Sequence, residues 1–367
     1  MFKQFKQLLP LLIFTLFSTC YGACELCPDG TRVLFVNNSN TLPGNGSLNN
    51  PYSDLSFALS QSNPCDVIYV FPGDGPYDGS FQLLDNQRLL GTTDEAFQLC
   101  PLTSSCTTPT LINTTSTTVV KLANNNEVSG FTIISNPALM NNAAIAGEGI
   151  TNALITDNSL VTYQAGKCVF IFNAVDIGTV TITRCNCLGG DLNASLGILI
   201  FGCFAGSVEA DHNFFGGTTA STGLSQAFTA VSPFNHLSYS LTHNTVIGNT
   251  NQSGAFIFAT FGTTGSQSIN ITDNAISLTQ GSPSFGILCY NELNGGTCCL
   301  NLLNNTVVVP STASGYVIWN ASSNPFYFNI DNSNKGTLTV NAPILGAIFP
   351  PPMTFTPVSL TTDCEGF

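Results

Sequence analysis

One segment pattern recurs through the middle of this chain. Each copy alternates apolar and polar residues up to an asparagine and places another apolar residue two positions after it. Alternation on both sides of a polar corner is typical of strand, turn and strand, not of a helix. Asn126 belongs to an early copy and Asn332 to a degenerate late one. The six regular copies lie 27 to 31 residues apart and are centred on Asn158, Asn186, Asn213, Asn244, Asn274 and Asn305.

A fixed period of this length indicates a solenoid, and short strand patterns with Asn and Gly at the corners indicate a β-helix. We therefore expect an all-β fold whose coils stack at roughly 4.8 Å, the spacing of hydrogen-bonded strands. Asparagine suits a corner because it tolerates left-handed backbone angles and bonds to nearby backbone. The sequence predicts a structural corner ladder of Asn126, Asn158, Asn186, Asn213, Asn244, Asn274 and Asn305.

The segment before the repeats adds to this interpretation. A Gly- and Asn-rich stretch at 44–52 leads into a short amphipathic helix at 55–59, followed by a strand and turn at 65–73. Together with the repeats, these features resemble right-handed parallel β-helix proteins of the pectate-lyase-like superfamily. The resemblance implies a right-handed parallel β-helix solenoid with a short N-terminal capping helix, which shields strand edges. The predicted organisation is a signal peptide at 1–22, an N-terminal cap segment at 23–60, a parallel β-helix at 61–340 and a Pro-rich C-terminal tail at 341–367.

The first residues predict export. Lys3 and Lys6 precede an apolar run at 8–17, and small residues follow it, as in a secretory signal peptide. That run is too short to span a bilayer, so we expect an extracellular, cell-surface or periplasmic protein without a transmembrane segment. Lipidation at Cys24 is an open alternative. An exported chain with 14 cysteines is also expected to contain disulfides, whose pairing the sequence leaves open.

The charge balance restricts the partners. Without Lys3 and Lys6, 6 Lys and Arg face 21 Asp and Glu, a net charge of −15. Such a surface repels nucleic acid and anionic membranes, whose binding depends on basic side chains. We therefore expect a glycan or a surface protein as partner and no nucleic acid. The oligomeric state is open.

The catalytic motifs of the resembled superfamily are missing. Polygalacturonases carry an Asn-Thr-Asp strand, an Asp-Asp pair, Gly-His-Gly and Arg-x-Lys, and this sequence contains none of them. The leading interpretation is a secreted or cell-surface, non-catalytic β-helix protein with a binding, adhesion or structural role. The alternative is a glycoside hydrolase or polysaccharide lyase acting on a neutral or cationic glycan. Its candidate acid–base carboxylates are Glu209, Asp211 and Asp273.

A second column precedes the asparagines. Stacked coils place His212 beside His243, with Cys185 and Asp273 on either side, which suits zinc binding or acid–base chemistry. A solvated polar corner is the alternative. No cofactor is expected, although the oxygen-rich segment 72–79 is a calcium candidate. The predicted column is Asp157, Cys185, His212, His243, Asp273, Asn304 and Asp331.

Two further features concern surface and core. We expect the 27 phenylalanines to include internal stacks between coils, and a single tryptophan, Trp319, argues against a strong sugar-binding platform. Asn-x-Ser/Thr sites are glycosylated only in a host that secretes through an endoplasmic reticulum. They occur at Asn37, Asn45, Asn113, Asn193, Asn251, Asn270, Asn304 and Asn320.

Overall fold

Parallel strands in three sheets make up nearly all of the described chain. The repeat predicts this all-β parallel β-solenoid, and the prediction is confirmed. The computed structural model describes residues 31–93, 98–99, 107–191, 195–219, 222–232, 236–250, 254–260, 265–281, 285–291, 297–320, 326–330, 333–341, 353–354 and 360–361.

Each sheet forms one side of the solenoid. Sheet I contains Val33–Val36, Val67–Val70, Arg88–Thr93, Gln98–Leu99, Asn126–Ser129, Ala153–Thr156, Thr179–Thr183, Gly206–Asp211, Leu237–Thr242, Ser266–Thr272, Thr297–Leu303, Phe326–Ile330 and Leu360–Thr361. Sheet II contains Tyr77–Asp78, Thr110–Ile112, Thr132–Ile134, Ser159–Thr162, Asn186–Gly189, Phe214–Gly217, Thr245–Thr250, Ala275–Gly281 and Thr306–Val308. Sheet III contains Phe81–Gln82, Thr118–Lys121, Ala143–Glu148, Lys167–Phe172, Leu196–Phe201, Gln226–Ser232, Phe256–Thr260, Phe285–Asn291, Ser314–Asn320, Thr337–Asn341 and Met353–Thr354.

One period of the sequence forms one coil. Ala153–Thr156 in sheet I leads to Ser159–Thr162 in sheet II and Lys167–Phe172 in sheet III, and the chain then returns to sheet I. Each strand pairs in parallel with its equivalent one coil away. Antiparallel pairing occurs at Gln98–Leu99 and at the two last strands. Equivalent residues therefore lie in columns along the solenoid.

The core consists of the inward columns of these sheets. In sheet I, neighbouring coils place apolar side chains directly above one another, and every one is buried because the sheets close around it. Burial of such side chains contributes about 1.5–3 kcal/mol each to folding. One column consists of Ile155, Ile182, Ala210, Leu241, Ile271, Leu302 and Ile330.

A short helix, Leu55–Ser60, lies near the start of the solenoid. Asp54 precedes it, and its carboxylate accepts a hydrogen bond from the Phe57 N–H at 2.6 Å, as N-capping residues do. The helix buries Leu55 and Ala58 against the strands Val33–Val36 and Phe81–Gln82. Its role as a cap and the hand of the solenoid stay predictions.

Only some of the predicted segment boundaries can be compared with the structure. The strand Val33–Val36 pairs with Val67–Val70, so sheet I begins within the segment 23–60. The predicted signal peptide, the Cys24 lipidation site and most of the tail lie outside the described residues. Among the residues that the structure describes, no helix is long and apolar enough to cross a membrane.

The cysteines of the repeat region lie in the core. Six thiols point inward among the apolar columns, and each is at most 2% exposed. Small apolar side chains of this kind fit between stacked coils. These six cysteines are not in disulfides. The expected disulfides stay a prediction for the other cysteines of the chain. The buried thiols are Cys168, Cys185, Cys187, Cys203, Cys289 and Cys298.

A ladder of asparagines runs along the corner between sheets I and II. The side-chain oxygen of Asn244 accepts hydrogen bonds from the backbone N–H and the side-chain amide of Asn213, at 3.0 and 3.1 Å. The amide of Asn244 in turn donates to the Ala210 carbonyl at 2.8 Å and to the Asn274 side-chain oxygen at 3.0 Å. Asn305 continues this pattern. The buried amides therefore satisfy one another and the backbone from coil to coil.

The predicted ladder is wrong for two of its members. Asn186 pairs with Ser159 and Phe214, one residue beyond the corner, and Cys185 occupies the ladder position with its N–H donating to Asn213. The small thiol fits the core there in place of an amide. Asn126 lies at a different corner, where its amide donates to the carbonyls of two residues of the preceding coil.

The two ends of the ladder are also defined. Asn158 occupies the column in an earlier coil, where it accepts from Phe131 and donates to the Val128 carbonyl. At the far end Asn334 accepts from the side chain of Asn305 at 2.9 Å and continues the ladder. The degenerate copy at Asn332 lies outside the described residues.

Candidate functional site

The corner column beside the ladder holds residues with left-handed backbone angles. Each lies one position before the ladder residue of its coil, and its side chain points away from the core. Left-handed angles cost little for Asn and Asp and more for other side chains, so the corner is held by the surrounding coils. The column consists of Asp157, Arg184, His212, His243, Asp273 and Asn304, with φ between 51° and 57°.

The column differs from the predicted one at a single described coil. Cys185 was expected to flank His212, but it is fully buried and Arg184 takes the exposed corner instead. The guanidinium of Arg184 pairs with the Asp157 carboxylate at 2.7 Å. The cause is the same one-residue shift that removes Asn186 from the ladder. The expected column member Asp331 lies outside the described residues.

His212 and His243 stack on one another in consecutive coils. Their ring centroids lie 4.5 Å apart and the ring planes differ by 22°. The backbone N–H of His212 donates to the Thr242 carbonyl at 3.1 Å, and that of His243 donates to the Thr272 carbonyl at 3.2 Å. Because these bonds belong to the stacked coils, the spacing of the two rings is set by the fold.

Asp211 connects the two rings. One carboxylate oxygen lies 2.8 Å from Nδ1 of His212, and the other lies 3.1 Å from Nδ1 of His243. The Thr242 hydroxyl donates to Asp211 at 2.6 Å. Partial burial raises the pKa of Asp211, but the hydrogen bonds from Thr242, His212 and His243 outweigh this effect and hold the pKa below its usual value. The carboxylate is therefore ionised at neutral pH.

The other candidate carboxylates lie nearby. Asp273 follows in the corner column, with an oxygen 3.7 Å from Nε2 of His243. Glu209 precedes Asp211 by two residues on the outer face of sheet I, where it is exposed and accepts from the Thr181 hydroxyl at 3.2 Å. The structure thus places Asp211 near Nδ1 and Asp273 near Nε2 of His243. Glu209 does not contact the rings and accepts its hydrogen bond from Thr181.

The calcium candidate segment forms other contacts. Asp74 accepts a hydrogen bond from the Ser39 hydroxyl, and Asp78 accepts from the backbone and hydroxyl of Thr114. The carbonyl of Gly75 accepts from the amide of Asn38. These oxygens join the segment to its neighbours, and the calcium site stays a prediction.

The predicted glycosylation sites differ in exposure. Asn45 and Asn304 are exposed, whereas Asn37 and Asn270 are half-buried. Asn113 is 1% exposed and its amide donates to the Thr118 carbonyl at 2.7 Å, which leaves no room for a glycan on that nitrogen in this conformation. The described residues do not include Asn193 and Asn251, or the side chain of Asn320.

A second surface feature, which the sequence reasoning missed, lies on sheet III. Its outward columns are mostly apolar, interrupted by Thr229 in the middle and Glu148 at the first strand, although this side of the sheet faces solvent. We call these outward side chains the apolar face. Its members are partly or fully exposed and comprise Phe170, Phe172, Leu199, Phe201, Val231, Ile257, Leu288, Tyr290, Val317 and Trp319.

Aromatic side chains contact one another across the apolar face. Phe170 and Phe172 stack with ring centroids 4.3 Å apart, and Tyr290 meets Trp319 edge to face at 5.5 Å. The Lys167 ammonium lies 5.6 Å from the Phe170 ring centre, and partial burial lowers its pKa. The outer face of sheet I carries hydroxyls and amides such as those of Ser240 and Asn270. The solenoid therefore has one polar and one apolar side.

The sequence contained a signal for the apolar face. The strands at 169–172 and 198–201 are apolar at every position, whereas a strand with one wet face alternates. Unbroken apolar runs are typical of strands covered on both sides. The expected internal stacks account only for the inward half of each run. The outward half of each run, together with Trp319 from a later strand, forms part of the apolar face.

The fold and these two sites define a parallel β-solenoid protein. A scan against protein-family models and a search of curated proteins both found no match for this chain. The resemblance to the pectate-lyase-like superfamily therefore stays a prediction.

Proposed function

We propose that this chain is an exported, secreted or cell-surface solenoid with a non-catalytic structural role, and that it associates with a second copy through the apolar face. The observation that carries this proposal is the exposure of two large side chains on the apolar face. Phe201, in the middle of the face, is 45% exposed, and Trp319, at its end, is 43% exposed. Contiguous exposed apolar surface marks an interaction site. The export is supported by the N-terminal sequence alone.

The charge pattern of the face selects the kind of partner. Five consecutive strands of sheet III, from Leu196–Phe201 to Ser314–Asn320, contain no charged residue. The chain as a whole carries a formal net charge of −13. A charged partner gains nothing from such a face, so its complement is another flat and uncharged surface. A second copy offers that surface, and two sheets pack well face to face at about 10 Å.

The size of the face also fits association with a second copy. Six strands from Lys167–Phe172 to Ser314–Asn320 span about 24 Å by about 20 Å, a projected area of about 480 Å². Protruding side chains make the accessible area larger than this projection, and a standard interface buries roughly 800 Å² per partner. Strands that are apolar on both faces are usually covered on both sides by other parts of the protein or by a permanent partner. Most permanent assemblies are homo-oligomers.

Sedimentation of the untagged mature protein tests this proposal. We expect a dimer, and Phe201→Ser is expected to weaken its dissociation constant at least about 10-fold because a buried aromatic anchor is lost. Val308→Ser is the matched control, since Val308 is an exposed apolar residue, 49%, on sheet II. A wild-type protein that stays monomeric at every concentration contradicts the proposed association.

A parallel assay separates this proposal from its alternatives. The protein is incubated with neutral, acidic and amino-sugar polysaccharides, and binding, new reducing ends and lyase-type absorbance are recorded. We expect no cleavage. Cleavage that Asp211→Ala abolishes would instead support the glycan-degrading enzyme, and binding of a neutral glycan that Phe201→Ser abolishes would assign the apolar face to a glycan.

A further inference from the structure

We propose that Asp211, His212 and His243 form a binding site for a zinc ion at the corner of two consecutive coils. This site is independent of the apolar face and goes beyond the proposed structural role. Within the residues that the structure describes, these three form the one group of its kind, with a ligand atom from each residue within 4.8 Å of the others.

The donor atoms suit zinc. Imidazole nitrogen and carboxylate oxygen are ordinary zinc ligands, and zinc sites with three protein ligands keep one position for water. Two ligands about 2.0–2.1 Å from a tetrahedral ion lie about 3.3 Å from each other. The carboxylate oxygens of Asp211 lie 2.8 and 3.1 Å from Nδ1 of His212 and His243. Rotation of the two rings and the carboxylate would have to bring these donors to the spacing that the ion requires.

The fold holds these donors in place before any ion binds. Both histidines occupy left-handed corners with φ of 54° and 53°, fixed by the backbone bonds of the coil. Thr242 fixes the Asp211 carboxylate through a hydrogen bond of 2.6 Å. A prepared geometry lowers the ordering cost of binding. This preparation distinguishes the site from acidic side chains that meet by chance on a flexible loop.

The surroundings supply the remaining requirements. The side chains of Asp211, His212 and His243 are 38%, 59% and 50% exposed, so water reaches the fourth position. Asp273 lies 3.7 Å from Nε2 of His243, the nitrogen that stays free when Nδ1 binds the ion. A carboxylate at the second nitrogen of a ligating histidine is a common orienting arrangement in zinc proteins.

Binding changes the protonation of the rings. The ion takes the lone pair of each Nδ1, so a proton held there moves to Nε2 or leaves to solvent. No electron transfer is involved. The corner gains the two positive charges of the zinc ion and loses one positive charge for each proton that leaves to solvent.

Zinc titration of the untagged mature protein, in competition with a chromogenic chelator, tests the site. We expect one Zn²⁺ per chain, with His212→Asn and His243→Asn each weakening the affinity at least about 10-fold. Asparagine is chosen because Asn304 occupies an equivalent corner with φ of 53°, so the fold should be kept. Thermal unfolding of each variant verifies this.

The third histidine of the chain provides the matched control. His236 is exposed and its ring lies 3.1 Å from the Ser266 hydroxyl, away from the carboxylates. His236→Asn is expected to leave the zinc affinity unchanged. The inference is overturned if the wild type takes up no zinc, if the double variant of His212 and His243 binds as well as the wild type, or if His236→Asn causes the same loss.

Discussion

Buried thiols and one buried tyrosine contribute to the pH dependence of stability at alkaline pH. Burial raises the pKa of Cys185 and of Cys298 to about 12, and burial also raises the pKa of Tyr77 to about 12. The unfolded chain releases these protons at lower pH, near about 8.5 for cysteine and about 10 for tyrosine. Their contribution is therefore fully present below about pH 8.5 and is lost as the pH rises towards the folded pKa.

We expect the free energy of unfolding to fall between about pH 8.5 and about pH 11, where an unfolded thiol is ionised and a buried one is not. Urea unfolding at a series of pH values measures this dependence. Cys298→Ala serves as the comparison, because removal of one buried thiol makes the decline shallower. A stability that stays level across this range would contradict the assignment of these side chains to the core.

At the scale of the coil, the asparagine ladder joins neighbouring turns. Asn274 accepts two hydrogen bonds from Asn244 and donates to the Leu241 carbonyl, all of them buried. Asn274→Ala leaves those donors without a partner, so we expect a loss of about 2–3 kcal/mol in the free energy of unfolding. Asn186→Ala removes the same side chain outside the ladder, and we expect less than about 1 kcal/mol. Equal losses, measured by urea unfolding, would show that the ladder is not what stabilises the corner.

The coil is also the scale at which sequence reasoning succeeded and then failed. The period of the alternation predicts the number and direction of the strands, because it repeats in every coil. It does not fix the register to one residue, and a slip of one residue exchanges inward and outward side chains. Asn186 and Cys185 are adjacent, and both are small enough for the corner. The structure places the thiol inside, and the prediction for both residues is therefore wrong.

The candidate site could also be predicted only in part from the period of the sequence. His212 and His243 stand at equivalent places in two regular copies, so their contact could be inferred from the spacing alone. The carboxylate of Asp211 between the rings required knowledge of the side-chain directions at the strand end. The sequence likewise indicated neither Thr242 as its hydrogen-bond donor nor Arg184 as the corner residue of the shifted coil.

For the whole molecule, the distribution of outward side chains matters most. Within one coil, the alternation distinguishes only inward from outward positions, and on sheet I outward positions such as Ser240 and Asn270 are polar. The outward residues of sheet III become one surface only after the coils are stacked, because members such as Phe172 and Trp319 are far apart in the chain. The apolar surface is a property of the stacked coils, so the pattern of a single period does not reveal it.

The accessibility of Trp319 tests the central claim most directly, since Trp319 is the only tryptophan and lies on the apolar face. Quenching of its fluorescence by acrylamide is measured over a range of protein concentrations, for the wild type and for Phe201→Ser. We expect quenching of the wild type to decrease and its emission to shift to shorter wavelength as the concentration rises, while the variant stays accessible. Equal quenching at every concentration in both proteins would contradict association through this face.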